Sequence, residues 1–254
     1  MSQNGTKNQS DTMTALEMVF ETEDYLVVNK PSGLLVHRTQ LDFHETEFLL
    51  QRVRDYVGSH VYPLHRLDKA TSGLVLFAKK PEVVSLFQKL WDENKIEKGY
   101  KALIRGWLLE PMTINHPLEQ MAKKKDQKTK AHAEKKEAIS FVKPLQHYEW
   151  DRAFSKFEKQ RYSLVEVRIE TGRKHQIRRH LSHIRHPILG DSNYGDNKHN
   201  REINTAFDNP GLLLQSDRLS FVCPFSQKEI SLNLELDSRF QKILGKLDKK
   251  IKKS

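Results

Sequence analysis

An α+β fold is what this 254-residue sequence predicts. Three observations point to it. Short runs have strand-like apolar character, a few segments carry helical periodicity, and no regular βαβ rhythm connects them. Residues 1–15, rich in Ser, Thr, Asn and Gln, read as a disordered leader. Tyr25-Leu26-Val27-Val28 is a strand, ended by the turn signal Asn29-Lys30-Pro31-Ser32-Gly33. Leu74-Val75-Leu76-Phe77-Ala78 is an apolar β-type run entered through Thr71-Ser72-Gly73. Residues 82–96 place Val83, Leu86, Phe87, Leu90 and Trp91 at i, i+3, i+4, i+7 and i+8, which predicts a helix packed by that face, with Pro81 in its first turn. Residues 100–107 read as a strand with Gly106 near its end. In residues 163–170, Val165, Val167 and Ile169 alternate with Glu166, Arg168 and Glu170, the pattern of a half-buried strand. Residues 174–185 turn helical, with Ile177, Leu181 and Ile184 on one stripe. Leu212-Leu213-Leu214 and Leu219-Ser220-Phe221-Val222 look like further strand, broken by Pro224-Phe225. The lysine-rich stretch 123–136 reads as a mobile insertion (about 122–137) between strands, a solvated charge run before it is an RNA contact. Residues 247–253 look like a frayed basic helix end, so 246–254 is taken as a basic tail. No repeat or linker divides residues 16–245, which are expected to form one catalytic domain.

Composition narrows the function. With 43 Lys+Arg against 33 Asp+Glu, the net charge of +10 favours a polyanionic partner, since each neutralised phosphate releases counterions. A single cysteine, Cys223, cannot form an internal disulfide and fits a reducing cytosol, so a cytoplasmic location is expected. No run of ~18 apolar residues predicts a membrane span, and the N-terminus lacks the apolar stretch of a signal peptide. There is no Walker-type glycine loop, so no nucleotide cofactor is expected. His175, His180, His183 and His186 lie close together, but spacing along one basic helix explains them better than a zinc site would. Nothing in the sequence fixes the oligomeric state; a monomer is the expectation.

The segment richest in chemistry is His65-Arg66-Leu67-Asp68-Lys69-Ala70-Thr71-Ser72-Gly73. It sets one carboxylate on a short polar loop before a strand, and loops held by rigid sheets carry most catalytic groups. Read alone, an Asp in such a loop is better taken as a turn residue bonding its own backbone. Three further segments accompany it: residues 28–37 (Val28-Asn29-Lys30-Pro31-Ser32-Gly33-Leu34-Leu35-Val36-His37), Lys98-Gly99-Tyr100, and Glu170-Thr171-Gly172-Arg173-Lys174-His175-Gln176-Ile177-Arg178-Arg179-His180 followed by His186-Pro187-Ile188-Leu189-Gly190-Asp191. In this order they resemble the motifs of the RluA-type pseudouridine synthases, over roughly residues 18–240.

That resemblance implies the pseudouridine synthase catalytic fold, a mixed, largely antiparallel sheet with flanking helices and a central active-site cleft. It implies isomerisation of uridine to pseudouridine within RNA, with no cofactor and no metal. Cleavage of the glycosidic bond develops positive charge at ribose C1′, which a carboxylate can stabilise or trap. Hydrolytic glycosidases use two carboxylates; here uracil itself returns as nucleophile, so one can suffice. Asp68 is thus the catalytic residue, as nucleophile or as base. Arg178 matches the arginine that pairs with it, since a guanidinium favours the ionised carboxylate and fixes its direction. Tyr100 matches the tyrosine that stacks on the uracil and assists loss of the C5 proton, although a core tyrosine on a strand is common. Arg66 would enter the space left by the flipped base, whose unstacking costs a few kcal/mol. His65, Lys69, Thr71, Arg173, Lys174, His175, Gln176 and Ile177 complete the expected RNA-binding set, with structural ion pairing as the alternative for His65.

An RNA-binding module of the S4 type is not expected before the catalytic motifs, so specificity is expected to lie in the catalytic domain. His37-Arg38 with Leu41-Asp42, then residues 178–187, residues 190–196 and Asn200-Arg201, look like the branch acting on transfer RNA at uridine 65. The lysine-rich insertion departs from that pattern, which leaves another tRNA site or ribosomal RNA as in-family alternatives. A non-catalytic RNA-binding protein is the alternative of another class. A hydrolase would want a metal carboxylate cluster or an acid–base pair, which the sequence does not display.

Overall fold

The structure, a computed structural model, describes residues 16–38, 45–120, 134–154 and 157–250. The expected leader, residues 122–133 of the lysine-rich insertion, residues 251–254 of the expected basic tail, and residues 39–44 lie outside them. The first hairpin is β1 (Glu17–Glu21) and β2 (Tyr25–Lys30); α1 (Leu49–Val57), the short β3 (Tyr62–Pro63), β4 (Ser72–Ala78) and α2 (Pro81–Asp92) follow. The middle of the chain gives β5 (Ile96–Arg105), β6 (Met112–Asn115), β7 (Leu118–Glu119), β8 (Lys135–Lys136), β9 (Ile139–Trp150) and β10 (Gln160–Ile169). Then come α3 (Gln176–His183), α4 (Asn197–Phe207), β11 (Leu214–Val222), β12 (Glu229–Asn233), α5 (Ser238–Leu244) and β13 (Asp248–Lys250).

Among the described residues, eleven strands form one sheet whose main path runs β1-β2-β4-β11-β5-β10-β9-β13. Every pairing is antiparallel except β4 with β11. This is the mixed, largely antiparallel sheet of an α+β fold. Successive strand residues face opposite sides. Leu26, Val28, Val75 and Phe77 therefore enter the core that also takes α1, α4 and α5 residues such as Val53, Phe207 and Phe240. Tyr25, Val27, Leu74 and Leu76 enter a second core capped by Val83 and Phe87 of α2. Burial on both faces explains why β4 reads as an unbroken apolar run.

The one parallel join positions the chemistry. It has two residue pairs, Ser72 with Gln215 and Gly73 with Ser216. Gly73 has φ +114°, and a Cβ there would stand 2.1 Å from the Ser216 carbonyl oxygen, so no side chain fits. Ser216 also pairs with Tyr100 on its other side, which brings the start of β4 and the loop before it to Tyr100.

Four expectations are corrected. The helix over 82–96 ends at Asp92, Ile96 opens β5, and Leu86 is exposed; Val83 and Phe87 carry the packing. Residues 163–170 are not a half-buried strand: β10 lies between β5 and β9 and is buried from Tyr162 to Val167, Glu166 included. Residues 248–250 form a strand on β9 rather than a helix end, so the sheet continues past residue 245. Lys135–Lys136, at the end of the supposed loop, pairs with Leu118–Glu119. No helix among the described residues is long and apolar enough to cross a membrane.

Candidate active site

A cleft of about 1420 Å³ opens beside the β4–β11 join, and Asp68, Tyr100 and Arg178 all line it. The loop carrying Asp68 is fastened from several directions. The Thr71 N–H donates to the Asp68 carbonyl (3.1 Å), closing the turn, and the Gly33 N–H donates to the Lys69 carbonyl (2.8 Å). Lys30, fully buried, donates through Nζ to the carbonyls of Pro31 (2.9 Å), Leu34 (2.8 Å) and Lys69 (3.1 Å). Burial and the Arg239 charge push its pKa down to about 7, against the pull of Asp68. From the other end of the chain, Asp237 Oδ2 accepts from Ser72 Oγ (2.8 Å), and Arg239 donates to Ser72 Oγ (2.7 Å).

Helix α3 brings the counter-charge. Arg178 Nη1 stands 3.7 Å from Asp68 Oδ2, an ion pair without a tight hydrogen bond. Its hydrogen-bonded carboxylate is Asp191: Nε donates to Oδ2 and Nη2 to Oδ1, both at 2.8 Å, and Nη2 also reaches Asn193 Oδ1 at 3.1 Å. The fork is thus held by Asp191 while one edge faces Asp68. Burial pushes the Asp191 carboxyl up, but its bonds to Arg178 outweigh this and hold it below the usual range. His175 precedes α3 in a left-handed conformation (φ 54°). Its Nδ1 meets the Tyr194 hydroxyl at 3.0 Å, and its Nε2 stands 3.8 Å from Asp68 Oδ1. Burial lowers its pKa, with Asp68 pulling the other way. Tyr100 is buried on β5; burial, then the Asp68 charge, raises its pKa, so the phenol stays protonated.

The expected RNA-binding residues divide. Arg66, Arg173 and Lys174 are exposed and line the cleft, as RNA contacts require. Others are turned inward. Gln176 is an internal brace: its Oε1 accepts from Thr171 Oγ1 (2.7 Å) and the Arg173 N–H (3.0 Å), and its Nε2 donates to the Ile139 carbonyl (2.9 Å). Ile177 and Thr71 are buried, and the Lys69 ammonium, outside the cleft lining, pairs with Glu45 at 2.5 Å. Near the cleft, His180 has both ring nitrogens engaged, by Ser140 Oγ (2.9 Å) and the His116 carbonyl (3.0 Å), and His183 stacks on His116 at 3.8 Å. Among the described residues no three metal-ligating side chains converge. Sequence reasoning quoted Asp191, Asn193 and Tyr194 within the 190–196 pattern without giving them a role at the site; the signal available was that a buried arginine requires a carboxylate partner.

His65 is also structural. Its Nε2 accepts from the Leu76 N–H (3.1 Å) and its ring stacks on Trp91 at 5.4 Å. Burial and the Lys98 cation push its pKa down to about 3. In the unfolded chain it titrates near ~6.5. Between these values only the unfolded chain takes up the proton, so folded-state stability falls as pH drops from about 6.5 towards 3. His199, held by burial at about 4, acts in the same direction. Tm is therefore expected to decline steadily below pH 6.5, and less steeply in His65→Gln. Parallel melting-point curves for the two proteins would rule out this role for His65.

A family model described as RNA pseudouridylate synthase matches residues 24–183. Similar proteins include one from Vibrio parahaemolyticus named tRNA pseudouridine synthase C, 42% identical over 234 residues, covering 92% of this chain and 95% of that protein. One of the same name from Haemophilus influenzae is 38% identical over 231 residues, covering 91% and 97%. Among solved structures, Human RNA Pseudouridylate Synthase Domain Containing 1 has a TM-score of 0.67 at 24% identity, covering 94% of this chain and 90% of that one, a likeness of fold.

Proposed function

The chain belongs to the RNA pseudouridylate synthase family, of the RluA type, and from that membership we propose that it converts uridine to pseudouridine in transfer RNA, at uridine 65 of the T stem. The observation that carries this reading is one carboxylate, Asp68, set in a basic-rimmed cleft beside Tyr100 with a buried guanidinium 3.7 Å away. The reaction breaks the bond from C1′ to N1, turns the uracil and joins C1′ to C5. C5 loses a proton and N1 gains one, so the atoms balance without an added group. Asp68 acts on the ribose, as nucleophile or as base, and Arg178 keeps it ionised and aimed. Tyr100, held as a neutral phenol, packs against the uracil. Arg66, its side chain exposed at the cleft, fills the helix where the base has left.

The choice of transfer RNA is supported by the names of the similar proteins, and position 65 by the sequence pattern at His37-Arg38, 178–187 and 190–196. We place the protein in the cytoplasm, working as a monomer through a catalytic domain of residues 16–245 that β13 extends. The test is incubation with unmodified tRNA in EDTA, followed by mapping of pseudouridine. Product at position 65 supports the reading. Product at another uridine or only in ribosomal RNA overturns the site assignment. Bound but unmodified RNA overturns catalysis in favour of a binding protein.

A further inference from the structure

We propose that the cleft holds a second nucleotide beside the reacting one, its base stacked on Phe141 and its phosphate gripped by Arg168 and Arg218; this rests on RNA being the substrate. Four strands supply the site. Phe141 of β9 pairs with Arg168 of β10, Arg168 with Gly99 of β5, and Gly99 with Arg218 of β11. Directly opposed residues share a face of the sheet. Phe141, Arg168 and Arg218 thus form one row, and all line the same cleft as Asp68 and Tyr100.

The two arginines are held rather than loose. Glu166, two residues before Arg168 and so on the same face, accepts through Oε1 from Arg168 Nε (3.1 Å) and Arg218 Nη2 (2.8 Å). Burial pushes the Glu166 carboxyl up, but the surrounding cations win and keep it ionised. Glu97 and Glu170 also line the cleft, but its eight lysines and arginines outnumber its four carboxylates, so a net positive charge remains, with exposed Lys143 beside the two arginines. Gly99 makes the arrangement possible: a Cβ there would stand 2.9 Å from Arg218 Cβ, so the Arg218 stem crosses towards Glu166 over bare backbone.

Phe141 supplies what phosphate binding alone does not need. It is 39% exposed in the cleft wall. Phe141 stands two strand spacings, about 10 Å, from Gly99; Tyr100, the next residue of β5, belongs to the opposite face, and the cleft that both line joins the two positions. A strand that delivers an extruded uridine to Asp68 must continue on either side of it. A positively charged groove with an aromatic face is how proteins hold such an unpaired neighbour, because every base has a π-face.

The experiment measures tRNA binding across a salt series, and single-turnover pseudouridine formation, for Phe141→Ser, Phe141→Leu, Phe141→Trp, Arg168→Gln and Arg218→Gln. Phe225→Ser, an exposed aromatic outside the cleft, is the control. Phe141→Ser and Phe141→Leu are expected to weaken binding about 10-fold, and Phe141→Trp to restore it, with its added fluorescence quenched by the stacked base. Each Arg→Gln change should lower the salt dependence of log Kd by about one. Binding within two-fold of wild type for both Phe141→Ser and Phe141→Leu, or an unchanged salt slope in both arginine variants, overturns the second-nucleotide site while leaving the enzyme reading intact. Failure of the wild-type protein to bind tRNA overturns the RNA reading instead.

Discussion

Turnover of the Asp68→Asn variant is expected to fall by about 10⁴-fold or more, the scale seen when a residue central to covalent or acid–base chemistry is removed. Asparagine keeps the shape and the hydrogen-bonding reach but carries no charge, so it can neither stabilise nor trap a cationic C1′. The loop should not move, because its fastenings are backbone groups and residues other than the Asp68 side chain: Lys30 and Gly33 on the Lys69 carbonyl, Thr71 on the Asp68 carbonyl, and Asp237 and Arg239 on Ser72. Affinity for tRNA should stay within a few-fold of wild type. Hydrogen release from C5 of labelled uridine, followed alongside a binding isotherm, separates the two quantities. A variant that still turns over within 10-fold of wild type refutes the assignment of Asp68.

The second large effect concerns Asp191. Arg178 is buried and Asp191 more so, and their two 2.8 Å bonds are what keep a guanidinium tolerable there. Asp191→Ala leaves that charge with Asn193, the face of the Tyr194 ring (5.2 Å) and the looser Asp68. Breaking a buried pair on one side costs about 3–5 kcal/mol, which for a chain of this size lowers Tm by roughly 6–20 °C. Turnover should fall as well, since Arg178 is then free to swing onto Asp68. The double variant Asp191→Ala/Arg178→Met should recover much of the stability, because no charge is left buried, and none of the activity. Calorimetry and the C5-hydrogen assay read the two effects independently. A Tm within about 2 °C of wild type for Asp191→Ala would show that Asp191 does not support the site.

Local elements were legible because their periodicity is local. The apolar run of β4 and the Ile177/Leu181 stripe of α3 are set by residues a few positions apart. What escaped depends on pairings across the chain. Glu166 looked like an outward-facing strand residue; it is buried because Arg168 and Arg218 converge on it, the latter from 52 residues away. The basic tail looked helical by composition, yet residues 248–250 take strand form because β9 offers them a free edge. At the site, the motifs located Asp68, Tyr100 and Arg178, but spacing alone could not say that Gln176 and Ile177 face inward or that Asp191, rather than Asp68, is the tight partner of Arg178.

The strand order also has a consequence for when the protein becomes competent. β11 lies between β4 and β5, so the sheet's N-terminal third and its middle are joined by a strand made late in synthesis. A nascent chain that has not yet emerged past residue 222 holds Asp68 and Tyr100 beside strands that β11 has not yet joined into one sheet. The ribosome must therefore finish most of its work before this molecule can begin.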